Sequence, residues 1–249
     1  MKKKICIIAI LSLIINSIVW AEPDASEGLE SIDIQKIIRY STKSSLEFTR
    51  RGIYHEEKGN YKTAIKDYSR ALELTPNRSE LLIKRAKCYD ELEQYQPAIQ
   101  DLSEVLAMRP YRAEIYILRG KIYTKMTQYN LAEKDFNKAI ELNPLKPDFY
   151  IDRGDFFTSL QKKDYANRDY MAASELYAYT ASNFKEYKKW QDAIKEYDKA
   201  IAIDTQNGEY KQQRQECVEA LQEEFRKAQE DAEKRKEKKD KLPKEEFSR

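Results

Sequence analysis

Pro76, Pro110 and Pro144 stand 34 residues apart, and two other residue classes keep the same step. Arg51 with Gly52, Arg85 with Ala86, Arg119 with Gly120 and Arg153 with Gly154 form one series; Ala64, Ala98, Ala132 and Ala166 form another. A fixed period of this length marks an architecture in which one supersecondary unit recurs and buries its apolar face only against its neighbours. It argues against a single closed core, so every other residue has to be placed by its position within the period.

One copy, residues 113–146, shows what the unit is. Tyr116, Gly120 and Tyr123 fall on one face of a first helix, and Ala132, Phe136 and Ala139 on one face of a second. The small residues let two backbones approach, the aromatic ones fill the remaining space, and Pro144 stops the second helix because proline cannot continue one. Composition agrees: six glycines and seven prolines in 249 residues leave too few turns for an all-β domain and too few glycines for a phosphate-cradling loop.

The pattern resembles the tetratricopeptide repeat family. Bulky residues hold positions 4 and 11 of each copy, small ones 8, 20 and 27, an aromatic 24 and Pro 32. The copy 45–78 supplies Phe48, Gly52, His55, Ala64, Tyr68, Ala71 and Pro76; the copy 79–112 supplies Leu82, Ala86, Tyr89, Ala98, Leu102, Val105 and Pro110. The fourth, 147–173, has Tyr150, Gly154, Phe157, Ala166, Tyr170 and Ala173, and the fifth, 174–207, has Tyr177, Ala181, Phe184, Ala193, Tyr197 and Ala200. The resemblance implies an all-α, right-handed helical-repeat solenoid of about five repeats with a C-terminal capping helix.

One step departs from the period. Ala166 to Ala193 is 27 residues, seven short, which is two helical turns. No Pro or Gly interrupts residues 155–207. Either the helices on both sides of residue 175 are shortened, or they fuse into one longer helix.

The flanks follow different rules. Lys2, Lys3 and Lys4 precede an apolar run from Ile5 to Trp20, with Val19 and Ala21 at the small-residue sites of a cleavable secretory signal. The run is short for a membrane span, which needs about 20 residues. The expectation is export of the chain to a bacterial periplasm or cell envelope, with 1–21 removed; an uncleaved anchor is the alternative. Removing 1–21 takes away three lysines and no acid, so the formal charge moves from +2 to −1, and a charge-driven nucleic-acid role loses its support. Residues 22–44 are expected to be polar, with Leu29, Ile32, Ile34, Ile37 and Ile38 available for a short docking helix. Residues 208–241 read as a cap whose Cys217, Val218 and Leu221 face the fifth repeat, followed by a charged extension and a disordered tail over 242–249. In the extension Glu223/Lys227, Glu230/Lys234, Asp231/Arg235 and Glu237/Lys241 are spaced i,i+4, each pair worth about 0.2–0.5 kcal/mol. The stretch from Lys234 to Lys239 could also touch anionic lipid, but interspersed acids and the lack of aromatics favour a solvated tail.

No enzyme motif is present, and no cofactor or metal set is expected. The single histidine, His55, takes the bulky position 11; Cys88 and Cys217 are far apart and expected to be idle, buried thiols. Eleven of the 18 tyrosines fall at positions 4, 11, 17 and 24, where they pack helix on helix, so the tyrosine richness is framework and not a base-stacking platform.

Two sets of residues carry sharper expectations. Arg51, Arg85, Arg119 and Arg153 hold position 7, and Asp67, Asp101, Asp135 and Asp169 hold position 23 of the same copies; the fifth copy has Thr180 and Glu196 instead. We expect an ion pair tying the two helices of each repeat, the alternative being arginines that line a groove. In the family a concave face is built by first-helix positions 2, 5, 6, 9, 12 and 13. Position 5 offers Ile83, Ile117 and Ile151 as a stripe that is either open or buried between repeats. Beside it stand Lys84, Lys87, Lys121 and Lys125 in copies two and three, and Asp148, Asp152 and Asp155 in copy four. The lysine and asparagine clamp with which family members hold chaperone tails is absent, its places being taken by Thr49, Ile53, Lys84, Glu114 and Leu118. The resemblance implies a non-enzymatic scaffold or adaptor that holds a peptide segment of a partner protein, with a membrane-tethered envelope assembly factor as the alternative.

Overall fold

The computed structural model describes the backbone of residues 34–240 and the side chains of 44–237. The expected signal segment 1–21, residues 22–33 and the tail 242–249 lie outside the described residues, as do the side chains of the apolar cluster between Leu29 and Ile38.

Among the described residues there are ten α-helices and no strand: α1 (Ile34–Glu57), α2 (Tyr61–Leu74), α3 (Ser79–Glu91), α4 (Tyr95–Met108), α5 (Ala113–Lys125), α6 (Tyr129–Leu142), α7 (Pro147–Ser159), α8 (Lys163–Glu186), α9 (Trp190–Ile203) and α10 (Gly208–Asp240). This is an all-α helical-repeat fold. Neighbours in sequence are neighbours in space, as expected where each unit is buried only by the units beside it. Helix α1 begins eleven residues before position 1 of the first repeat, so 34–44 extend the first repeat helix and form no separate docking helix.

Each intra-repeat turn is closed in the same way. Position 15 lies in the left-handed region: Gly59 at φ 72°, then Glu93, Thr127, Gln161 and Lys188 at 55–58°. The residue after it donates its N–H to the carbonyl five residues back, Gln94 to Tyr89 at 2.8 Å and Gln128 to Tyr123 at 2.9 Å, which satisfies carbonyls left open at a helix end. Inside the hairpin, position 8 meets the aromatic ring at position 24. A Cβ added at Gly52 would lie 2.6 Å from Tyr68, and one at Gly154 2.8 Å from Tyr170; at Gly120 the nearest ring atom of Phe136 would be 3.3 Å away. Glycine is required at the first two sites by this approach of helix to helix.

Stacking between repeats is written at position 10. Cys88, Ile122, Phe156 and Cys217 occupy it where a repeat, or α10, packs on the one before, and all four are buried. In the first copy Tyr54 holds the position and is 57% exposed; in the fifth it is Asn183, which is half-buried. The fifth copy is different because α8 is continuous through residue 175. The 27-residue step is therefore a fusion: the second helix of repeat four runs directly into the first helix of repeat five as one helix of 24 residues. The seven missing residues correspond to the last three residues of a second helix and the four-residue inter-repeat turn, so the chain cannot fold back and lay a new first helix against α7. Instead α9 packs on the distal part of α8, and α10 packs on α9.

Helix α10 stands where the first helix of a sixth copy would. Its Cys217 is fully buried in a cluster with Ala181, Ala193 and Tyr197, while Val218 and Leu221 are half-buried. Position 7 of this unit, Arg214, donates through Nε to Asp198 at 2.5 Å. From Phe225 onward the described side chains are exposed. Of the i,i+4 pairs expected there, Glu223 and Lys227 meet at 3.3 Å, but Glu230 is taken by Arg226 at 3.2 Å in place of Lys234.

Candidate partner-binding face

The position-7 arginines lie between helices. Arg85 grips Asp101 through Nε and Nη2 at 2.8 and 2.7 Å, Arg119 grips Asp135 at 2.8 and 2.9 Å, and Arg153 grips Asp169 at 2.8 and 2.7 Å. Arg51 makes the same two-pronged contact with Asp67. All four aspartates are buried. A planar fork matched to a carboxylate in this way is the strongest form of charged hydrogen bond.

A third contact escaped the sequence reading. The remaining Nη1 of Arg85 donates to Ser69 at 2.9 Å, that of Arg119 to Ser103 at 3.0 Å and that of Arg153 to Asn137 at 2.6 Å. Each acceptor sits at position 25 of the preceding repeat, so one guanidinium ties three helices and two repeats. The signal was in the sequence, since position 25 holds Ser69, Ser103 and Asn137 and then changes to Met171 ahead of the fused copy. Aromatic rings close over the arginines, with Arg119 5.7 Å from the Tyr116 ring centre and 5.8 Å from that of Tyr123. The guanidinium groups are thus engaged within the framework and not presented to a groove.

The first helices form one side of the array. Those of repeats three and four, α5 and α7, touch directly, and ion pairs link α1 to α3, α3 to α5 and α5 to α7. This is the face for which the resemblance implies the inner side. Two features of it are decided by how the first helices stack. The isoleucine stripe is not an open row of anchors: Ile117 is only 5% exposed, clustered with Phe149 and Phe156 of α7, while Ile83 packs half-buried on the core beneath it and Ile151 is half-buried. Position 5 lies on the flank that the next first helix covers.

The charges are likewise not segregated for a partner but paired with one another. Lys84 Nζ reaches Glu56 at 3.2 Å, Lys125 reaches Asp90 at 2.7 Å and Lys121 reaches Asp152 at 2.6 Å, each across a repeat boundary. Lys87 is exposed. Asp155 is exposed and accepts from the Tyr170 hydroxyl at 2.7 Å. Asp148 accepts from Lys146 at 3.0 Å and from the Tyr177 hydroxyl at 2.5 Å. Burial is the largest influence on Asp152 and, together with the like charges of Asp155 and Asp148, lifts its carboxyl above the ordinary range in spite of Lys121.

A cleft of 270 Å³ opens on this face between repeats three and four. Phe136 and Phe156 form its floor, and Lys121, Lys125, Asp152 and Asp155 stand on its rim. A larger depression of 740 Å³ lies along α5 and α6, where Tyr116, Tyr123 and Leu131 are its apolar part. Elsewhere, His55 is half-buried with its ring 5.5 Å from that of Tyr54. Cys88 and Cys217 are buried free thiols, and burial pushes the Cys88 thiol up to about 11. Among the described residues no three His, Cys, Asp or Glu side chains are grouped to hold a metal ion, and no helix is long and apolar enough to cross a membrane.

Comparison with known proteins places this arrangement. Residues 56–122 and, separately, 113–144 match models of the tetratricopeptide repeat. Over residues 56–144 the chain is similar to tetratricopeptide repeats. Among solved structures, MamA 41-end from Desulfovibrio magneticus RS-1 is 21% identical with a TM-score of 0.50, over 57% of this chain and 84% of that one. TTC0263, a thermophilic tetratricopeptide protein of Thermus thermophilus, is 19% identical at 0.46, over 70% and 98%. The first repeat domain of Spaghetti (RPAP3), bound to the HSP90 peptide SRMEEVD, is 22% identical at 0.44, over 48% and 95%. At these identities the likeness is one of fold. No curated protein sequence matches the chain. Tetratricopeptide repeats mediate contacts between proteins.

Proposed function

We propose that the chain is a non-enzymatic scaffold of the bacterial cell envelope that holds an extended or helical segment of a partner protein along the inner face of its first four repeats. The observation that carries this reading is the continuous face formed by α1, α3, α5 and α7, with a cleft open between the last two. A groove built from aligned first helices presents side chains from several repeats to one segment at once, and rigid framework contacts beneath it keep it formed without a partner. Export rests on the signal-like sequence of residues 1–21.

The test is capture from envelope extract by the protein as the cell processes it, against a variant carrying Lys87→Trp and Ser159→Trp, two exposed inner-face positions. Circular dichroism first establishes equal helicity. A partner held by the parent and lost by the variant supports the reading; one held equally by both moves the site off this face. Intact mass of the purified protein decides whether residues 1–21 are removed.

A further inference from the structure

The inner face is far more acidic than the chain that carries it. At its six positions in each of the first four repeats, nine carboxylates stand against five basic side chains, while the whole chain has a formal charge of +2. Three of the five bases are spoken for: Lys84, Lys121 and Lys125 are held by Glu56, Asp152 and Asp90 of neighbouring first helices. The other two, Arg50 and Lys87, are exposed and outnumbered by exposed carboxylates, four of which stand one in each repeat. Glu57 on α1, Glu91 on α3 and Glu114 on α5 are exposed, and the exposed Asp155 on α7 accepts only a neutral hydroxyl. Beside Asp155 the floor of the 270 Å³ cleft is aromatic.

These two features together select a partner. An excess of carboxylates on a face with an apolar cleft attracts cations. Long basic side chains are the ones that lay an alkyl stem on apolar surface while keeping a charged head outside it. We propose that the segment held on the inner face is basic, a Lys- or Arg-rich stretch of a partner protein, with stems over Phe136 and Phe156 and charged heads at Asp155, Glu114, Glu91 and Glu57. An acidic segment meets like charge in every repeat and is rejected. This inference rests on the reading of the inner face as the binding surface.

The probe is a labelled peptide alternating Lys with Leu and Gly, compared with its Glu-for-Lys counterpart, in fluorescence anisotropy with the full chain. The Lys peptide binds and weakens as salt shortens the Debye length; the Glu peptide does not bind. Glu57→Lys/Glu91→Lys/Glu114→Lys abolishes binding, and Glu57→Gln/Glu91→Gln/Glu114→Gln, a milder change should the first variant lose its fold, weakens it at least about tenfold. Reversing Glu73, Glu141 and Asp164 on the second helices leaves it intact. Equal loss in the inner and outer sets, or a Glu peptide that binds as well, overturns the proposal. The cellular partner separates this from the parent reading: loss with the tryptophan variant but retention with the Gln variant keeps the inner face and discards a basic segment. Retention by both discards the two together.

Discussion

Replacing Arg119 by Met removes one guanidinium and leaves its methylene stem. Asp135 is then a carboxylate only 4% exposed, with both of its hydrogen bonds from Arg119 gone. Breaking one side of a buried pair costs about 3–5 kcal/mol. The Arg119 side chain is itself 19% exposed, so water reaches the carboxylate and the lower end, about 3 kcal/mol, applies. Loss of the Ser103 hydrogen bond adds about 0.5–1 kcal/mol, while the Met side chain keeps much of the packing between Tyr116 and Tyr123. Removing both partners, as Arg119→Met with Asp135→Leu, leaves no stranded charge and is about neutral for the pair itself, so the remaining cost is the lost Ser103 bond, about 0.5–1 kcal/mol. The double variant therefore loses less than either the sum of the singles or Arg119→Met alone.

A repeat array does not unfold strictly as one unit, so the assay is amide hydrogen exchange in α5 and α6 of the full chain, supported by urea unfolding. Arg119→Met lowers protection there by about two and a half to three orders of magnitude, since 1.4 kcal/mol is tenfold, and lowers it less in α9. A cost under about 1 kcal/mol, or additive single and double variants, refutes the three-helix clasp. Unchanged exchange with loss of partner binding would return the arginines to the groove.

Three further outcomes follow from the geometry. Gly52→Ala, whose Cβ meets Tyr68 at 2.6 Å, lowers the melting temperature by a strain of about 1–3 kcal/mol set against about 1 kcal/mol of helix propensity, whereas Gly120→Ala at 3.3 Å is neutral or stabilising; equal effects would show that the close approach is not limiting. Thr127→Gly, at φ 58° on a β-branched residue, stabilises the third repeat by about 0.5–1 kcal/mol in urea unfolding, and destabilisation would contradict the left-handed turn. Asp152, whose carboxyl is raised chiefly by burial, binds its proton more readily folded than unfolded. Stability from this site is therefore lost as pH rises through and just above the ordinary carboxylate range. Asp152→Asn raises the unfolding midpoint at pH 7 and has no such advantage below that range; a lower midpoint at pH 7 would mean that the Lys121 pair outweighs the burial.

Much of the array was legible because a repeat reports its own frame. The shared step of 34 places positions 8 and 24 in contact, and the offset of 16 between position 7 and position 23 sets Arg against Asp across one turn. The bridge to position 25 of the preceding repeat was present in the sequence as Ser69, Ser103 and Asn137 but could be noticed only once the guanidinium was seen to have a nitrogen left over. The pairing of the inner-face charges was hidden for a related reason. Lys125 and Asp90 are 35 residues apart, and a single helix read alone shows one sign where the neighbouring helix supplies the other. Ile117 looked available for the same reason: its cover comes from Phe149 and Phe156 of the next repeat.

By itself the sequence determined the unit, its helices and its internal packing, since these depend on contacts within about 34 residues that recur in four copies. It also showed that seven residues were missing between the fourth and fifth copies. Only the tertiary structure decided what the deletion does, because a shortened pair and a fused helix obey the same local propensities and differ in what packs on α7 and α8. It decided the partner-facing surface as well. Whether an isoleucine or a lysine is free depends on the helix next to it, and that neighbour is set by how repeats stack and not by the residues of any one of them.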